Sequence, residues 1–229
     1  MTHPELLPES LPAEPLAVAA RWLAEATSGR VQPNPNAMVL ATATPEGRPS
    51  ARVVLCKEIV PQPGYLVFYS NRLSAKGLQL RDNPRAAVVM HWDDLHRQVR
   101  VEGLIVHTPD AESDAYFASR AWQSRIGAWA STQSEPLAAR AELLEAVSRS
   151  AQRFGAPLPG SPGADDETLA VTVPRPPHWG GYRLWAERVE LWVEGAARVH
   201  DRAAWTRSLT PAGNDVFRAG PWTSTRLYP

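Results

Sequence analysis

The sequence predicts a mainly β chain with helices, an α+β protein built on an antiparallel barrel. Three observations predict it. At least seven segments rich in β-branched and aromatic residues follow one another in hairpin order. Short clusters of Pro, Gly, Asn and Asp separate them, as turns require. Helical periodicity is confined to a few interspersed stretches, and the chain has no internal repeat.

Prolines at 4, 8, 12 and 15 disfavour helix and predict an extended arm over residues 1–15. Residues 16–27 place apolar side chains at helical spacing and stop before Ser28-Gly29. After the turn cluster Pro33-Asn-Pro-Asn36, residues 37–44 form a strand. Pro45 to Pro49 make a turn, and residues 50–59 form the returning strand of a hairpin. Residues 64–70 are a third strand, and Ser74 caps a short helix ending near Pro84. Residues 85–92 and 98–107 are two more strands, joined by Asp93-Asp94-Leu-His96. Residues 109–120 and 137–154 carry helical periodicity, the second as an amphipathic helix. Residues 155–177, dense in Pro, Gly and Asp, predict a mobile loop. Strands return at 181–185, 189–193, 198–206 and 222–227. The expected organisation is an arm over 1–15 and a single domain over 16–229.

Composition narrows the function classes. The 229 residues balance 24 Lys+Arg against 24 Asp+Glu, which removes the basic footprint of a general nucleic-acid binder or a polybasic membrane protein. Hydrophobic residues at 44% and charged residues at 21% are enough for a packed core. One cysteine, Cys56, allows neither an internal disulfide nor a cysteine-based zinc site. With no basic-then-apolar leader and no long apolar window, the expectation is a cytoplasmic protein.

The sequence lacks GxGxxG, GxxxxGK[ST] and GxSxG, so neither common nucleotide loops nor a serine-hydrolase elbow has support. His91 and His96, five apart across a turn, are a weak metal signal, and no metal site is expected. What remains is a distribution of cations. Arg52 and Lys57 lie at opposite ends of one predicted strand and, five apart, face opposite ways if it is regular. Lys76 sits near a helix N-terminus, which favours anions. Arg198, His200 and Arg202 alternate on a predicted strand and would share one face, with Val199 turned into the wall. Taken singly, each is by default a solvated surface charge. Grouped around aromatics, they point to an anionic ligand.

Short stretches along the chain resemble one known family in order and spacing. They are Arg52-Val-Val-Leu-Cys-Lys57, Phe68-Tyr-Ser-Asn71, Ser74-Ala-Lys76, Arg97-Gln-Val99, Tyr116-Phe-Ala-Ser-Arg120, Ser124-Arg-Ile-Gly-Ala-Trp129 and Gln133-Ser134. The C-terminal part adds Trp179-Gly-Gly-Tyr-Arg183, Val189-Glu-Leu-Trp192, Arg198-Val-His-Asp-Arg202 and Arg226-Leu-Tyr-Pro229. From about residue 16 to the end, the chain resembles the pyridoxine/pyridoxamine 5′-phosphate oxidases. The resemblance implies an FMN-binding split barrel that works as a homodimer, with FMN at the subunit interface. It assigns FMN binding to Arg52, Val53, Val54, Leu55, Cys56, Lys57, Tyr69, Ser70, Lys76, Gln98, Gln133, Ser134, Trp192 and Arg202. It assigns the substrate phosphate to Lys57, Tyr116, Arg120 and Ser124, and the substrate ring to Arg198, Val199 and His200, with Arg198 and His200 as catalytic residues. The residue types suit these roles: a phosphate dianion takes an Arg fork, a Lys charge and hydroxyl donors together.

Four departures from the family pattern stand out. Ala75 replaces an arginine before Lys76, the N-terminal arm is short, Ala121-Trp122 replaces a Pro-Arg pair, and residues 160–166 look like an insertion. The implied activity oxidises pyridoxamine or pyridoxine 5′-phosphate to pyridoxal 5′-phosphate, with O₂ reoxidising FMN. Two alternatives compete: a related split-barrel oxidase acting on another planar aromatic such as a phenazine precursor, and a flavin- or pyridoxal-phosphate-binding protein without turnover. Cys56, inside an apolar strand, reads as a small buried hydrophobe. Among the tryptophans only Trp192 has a motif context that points to cofactor contact.

Overall fold

The computed structural model describes residues 5–229, so residues 1–4 of the expected arm lie outside the described residues. The helices are α1 (Pro15–Ser28), α2 (Ala75–Asp82), α3 (Asp110–Ala118), α4 (Trp122–Ala130) and α5 (Arg140–Arg153). The first six strands are β1 (Ala37–Ala43), β2 (Pro49–Leu55), β3 (Glu58–Val60), β4 (Tyr65–Asn71), β5 (Arg85–Trp92) and β6 (Arg97–His107). The rest are β7 (Trp179–Val193), β8 (Asp201–Thr206), β9 (Leu209–Pro211), β10 (Phe217–Ala219) and β11 (Thr223–Leu227). The chain gathers into two compact units.

The first unit holds residues 5–68, 79–107 and 182–229. Its antiparallel sheet runs β11-β8-β7-β6-β5-β1-β2, with β4 pairing β3 and β7. Period-two alternation buries one face: Met38 and Leu40 on β1, Val88, Met90 and Trp92 on β5, Val99 and Val101 on β6. α1 lays Leu16, Ala19, Trp22 and Ala26 into the same core. Of the segment before α1, the described residues 5–14 are neither helix nor strand. They are tied down by Trp205, whose indole donates to the carbonyl of Pro12 at 2.8 Å, and by Leu7, whose N–H donates to Asp201 at 2.7 Å.

The second unit holds residues 69–78 and 108–181. Phe117, Trp122, Ile126, Ala151, Ala156, Val173 and Trp179 form its core. Residues 155–177 contain no helix or strand, yet donors from α4 reach their carbonyls. Trp122 donates to Asp166 at 2.7 Å and Trp129 to Pro174 at 2.8 Å. Arg175 donates to Asp114 at 2.6 Å, to Asp110 at 3.0 Å and to the Trp179 carbonyl at 2.7 Å, fastening the end of this segment to α3.

Several sequence expectations change. The strand expected over 50–59 breaks after Leu55, because the backbone changes partner. Cys56 N–H donates to Asn36 beside β1 at 2.8 Å, whereas Lys57 N–H donates to Val67 on β4 at 2.8 Å. Lys57 therefore lies off the strand that carries Arg52. The strands expected at 181–185 and 189–193 are one, β7, and the polar Ala186-Glu-Arg188 interruption is a β-bulge opposite Glu102-Gly103. Gly103 suits that crossing, since a Cβ there would lie 1.9 Å from the Trp185 carbonyl oxygen. The strand expected over 198–206 begins only at Asp201, so Arg198, Val199 and His200 occupy a turn. The helix α4 and the β9–β10 hairpin are additional to the expected elements.

Candidate active site

The site residues divide between the two units, and each set has its own geometry. In the first unit, Gln98 on β6 is the cross-strand partner of Trp192 on β7, and Trp192 is the partner of Arg202 on β8. Paired residues of neighbouring antiparallel strands project to one face, so these three make a row. The Arg202 guanidinium donates to Glu190 at 2.8 and 3.1 Å and to the Tyr228 carbonyl at 2.9 Å. Glu190 is 2% exposed and also accepts from Arg100 at 3.2 Å. A carboxylate this buried persists only with its cations in place. The geometry therefore gives Arg202 a structural bond in addition to its expected role.

The turn before β8 corrects the expected Arg198–His200–Arg202 strand face. A 3₁₀ turn spans Ala196–Arg198, and Ala197 and Arg198 take φ of 54° and 65°. Two successive non-glycine residues in the left-handed region are strained, and such strain concentrates at functional sites. Val199 is 71% exposed and points away from the core, contrary to the wall position expected on a strand. His200 folds back so that its ring lies 4.7 Å from that of Trp192. It thereby joins the Gln98–Trp192 row by curling, not by strand alternation.

On β2, Arg52 donates to Leu40 O at 3.1 Å, Thr42 Oγ1 at 2.6 Å, Ser50 Oγ at 2.5 Å and Gln79 Oε1 at 3.4 Å. All four acceptors are neutral, and burial lowers the guanidinium's pKa. Val54 packs against the core, while Val53 and Leu55 on the opposite face are 65% and 37% exposed. Cys56 is buried, and desolvation pushes its thiol up to about 12, outside the range of a reactive cysteine. Lys57 is exposed.

In the second unit three aromatic rings stack in register. Tyr69 lies 4.0 Å from Tyr116 at 15° and 5.4 Å from Trp179 at 8°, and Tyr116 lies 6.1 Å from Trp179 at 7°. The Arg120 guanidinium sits 4.9 Å over the Trp179 ring and 5.4 Å over Phe117. Its Nη1 is buried without a hydrogen-bond partner among the described residues, and burial lowers its pKa. An unpaired buried donor on a cation is costly, and an anionic ligand removes the cost. Ser124 is exposed on α4. Lys76 donates to Ser74 Oγ at 3.0 Å and Gln133 Oε1 at 2.7 Å, Ser70 is buried, and Ser134 takes a left-handed φ of 79°. The platform residue Trp179 was not among the expected site residues. Its signal lay in the Trp179-Gly-Gly stretch, because a glycine pair beside an aromatic permits close approach: a Cβ on Gly181 would lie 2.7 Å from Tyr69.

Residues 26–153 match the profile of the pyridoxamine 5′-phosphate oxidase family, and residues 179–229 match the pyridoxine 5′-phosphate oxidase C-terminal dimerisation region. A pyridoxine/pyridoxamine 5′-phosphate oxidase of Rhodospirillum rubrum is 48% identical over 222 residues, covering 94% of this chain and 96% of that one. That of Paracoccus denitrificans is 46% identical, covering 90% and 87%. The chain belongs to the pyridoxine/pyridoxamine 5′-phosphate oxidase family. It is an enzyme, an oxidase of that family. Its fold is the family's antiparallel split barrel with peripheral helices. The crystal structure of PhzG from Burkholderia lata, in complex with tetrahydrophenazine-1-carboxylic acid, superposes with a TM-score of 0.80 at 30% identity over 100% of both chains. A pyridoxamine 5′-phosphate oxidase-related, FMN-binding protein of Nostoc punctiforme shares the fold, with a TM-score of 0.64 at 16% identity over 96% of this chain and 100% of that one. Among the described residues no helix is long and apolar enough to cross a membrane.

Proposed function

We propose that this family member is an FMN-dependent oxidase of vitamin B6 metabolism, converting pyridoxamine or pyridoxine 5′-phosphate to pyridoxal 5′-phosphate with O₂ as electron acceptor. The observation that carries the substrate class is the buried, unpartnered Nη1 of Arg120 above Trp179, next to the stacked Tyr116. It is a cation short of an anion, built on a flat aromatic floor. Tyr116, Arg120, Ser124 and Lys57 would bind the substrate phosphate, while Arg198, Val199 and His200 would meet its ring. Residues 16–229 would serve as one functional domain, preceded by the arm.

The residues present suit FMN. Lys76 next to Gln133, with Ser70, Ser134 and Tyr69, supplies a cation and short polar groups suited to the cofactor phosphate. Arg52, satisfied only by neutral acceptors, has charge to offer, and exposed Val53 and Leu55 offer apolar wall. Val54, Cys56 and Lys57 would contribute backbone, and Gln98, Trp192 and Arg202 the ring edge. FMN when bound supplies the hydride acceptor and its reoxidation by O₂. The protein's part is to bind, orient and exclude water. The proposed assembly is a cytoplasmic homodimer, supported by the match to a dimerisation region.

A second reading has one observation in its favour, the likeness to PhzG bound to a phenazine carboxylic acid. The curated relatives at 46–48% identity favour the B6 phosphate. Air-dependent release of hydrogen peroxide decides between these and a binder without turnover. Release with pyridoxamine 5′-phosphate, and not with the unphosphorylated amine or a dihydrophenazine carboxylate, is the expected pattern.

A further inference from the structure

We propose that Gly195 is a positioning residue that fixes His200 in one tautomer, so that His200 meets the substrate as an Nε2–H hydrogen-bond donor and not as a proton acceptor. The substrate contact rests on the function proposed above; the tautomer does not. The backbone N–H of Gly195 donates to His200 Nδ1 at 3.2 Å. A backbone amide can only donate, so Nδ1 must present its lone pair, and in the neutral imidazole the proton then resides on Nε2. The ring's orientation is set on its other side by Trp192, 4.7 Å away at 41°.

The turn is shaped around that bond. Val199 N–H donates to Ala196 O at 3.0 Å, and Ala197 and Arg198 hold left-handed φ values of 54° and 65° to bring His200 back over Gly195. Gly195 itself has an ordinary φ of −117°, so what it contributes is space. A Cβ there would lie 1.7 Å from the Val199 carbonyl oxygen and 2.6 Å from its carbon. Any side chain pushes the Val199 peptide outward and opens the loop that carries His200. With Nδ1 occupied and Nε2 protonated, neutral His200 has no free lone pair for the proton that leaves the substrate's amine or alcohol. Its contribution is a directed donor to an electron-rich substrate atom.

The test is a two-bond ¹⁵N–¹H spectrum of the FMN-loaded protein labelled at histidine, without substrate, with His200 assigned by its absence in His200→Gln. The expected result is an unprotonated Nδ1 and a protonated Nε2 in the parent, and loss of that fixed pattern toward averaged exchange in Gly195→Ala. A protonated Nδ1, or an averaged pattern in the parent, overturns the proposal even if Gly195→Ala does not fold. The same spectrum with a fixed Nε2–H, in a protein that fails to oxidise pyridoxamine 5′-phosphate, leaves the proposal standing and removes the functional reading instead. In an active enzyme His200→Gln, whose amide still donates, should retain more turnover than His200→Glu; the reverse order overturns the donor role.

Discussion

The indole Nε1 of Trp122 donates to the backbone carbonyl of Asp166 at 2.7 Å. This bond joins two stretches that lie far apart in sequence, the Ala121-Trp122 pair and residues 160–166. Trp122 is 3% exposed in the core of the second unit, so one side chain both fills that core and anchors a loop.

Trp122→Ala should cost about 3–5 kcal/mol of stability, the range for truncating a buried tryptophan. Trp122→Phe keeps most of the packing and removes the donor, with an expected cost of about 1–2 kcal/mol. Chemical denaturation of both variants checks the order. Equal stability of all three proteins would remove Trp122 from the core.

Arg120→Ala should raise the Michaelis constant for pyridoxamine 5′-phosphate by roughly 30- to 150-fold, from the loss of about 2–3 kcal/mol of charge-assisted bonding. The flavin spectrum should stay intact. Steady-state kinetics beside an absorption scan separate the outcomes: loss of FMN at unchanged substrate affinity would move Arg120 to the cofactor.

Arg198→Ala should fold and retain FMN but slow flavin reduction by substrate under anaerobic conditions. Arg198 sits on a turn with a left-handed φ of 65°, and under the proposed function it would orient the substrate, a role that affects turnover more than binding. Stopped-flow reduction at the parent rate with saturating substrate would return Arg198 to the status of a solvated charge.

Cys56 should resist alkylation in the native protein at pH 8 and react once unfolded. Burial raises its thiol from the ordinary 9.0 to about 12, so the neutral form is the one the fold favours. The sign follows: this contribution to stability is fully present below pH 9.0 and is lost as pH rises through the window up to about 12. Mass-spectrometric labelling with and without denaturant checks the first part, and a Cys56→Ala comparison of alkaline unfolding checks the second.

Sedimentation of the holoprotein should give a dimer with one FMN per chain, and a structure of that dimer an interface above roughly 1,000 Å². The exposed apolar side chains Val39, Val53 and Leu55 share one face of the β1–β2 pair, which a partner would cover. A monomer that binds FMN tightly would falsify the interface assignment.

Local signals were enough for the fold class, most strands and the family, because each is carried by neighbours in sequence. Alternation marks a half-buried strand, prolines and glycines mark turns, and short motifs survive as strings. Residues 37–44, 64–70 and 85–92 read correctly to within a residue or so on this basis. The tertiary structure alone decided where local pattern and long-range pairing disagree. The apolar run of Val53 to Leu55 continues into Cys56, but the strand ends there because its backbone leaves β1 for β4. Arg198, Val199 and His200 alternate like a strand, yet Gly195 and the left-handed Ala197 fold them into a turn that sets His200 against Trp192. The floor of Trp179 beneath Arg120 joins residues 59 apart in the chain, and no string contains it. Sequence records the preferences of each residue for its own backbone; which backbone atom or ring lies across from it depends on closure of the whole sheet.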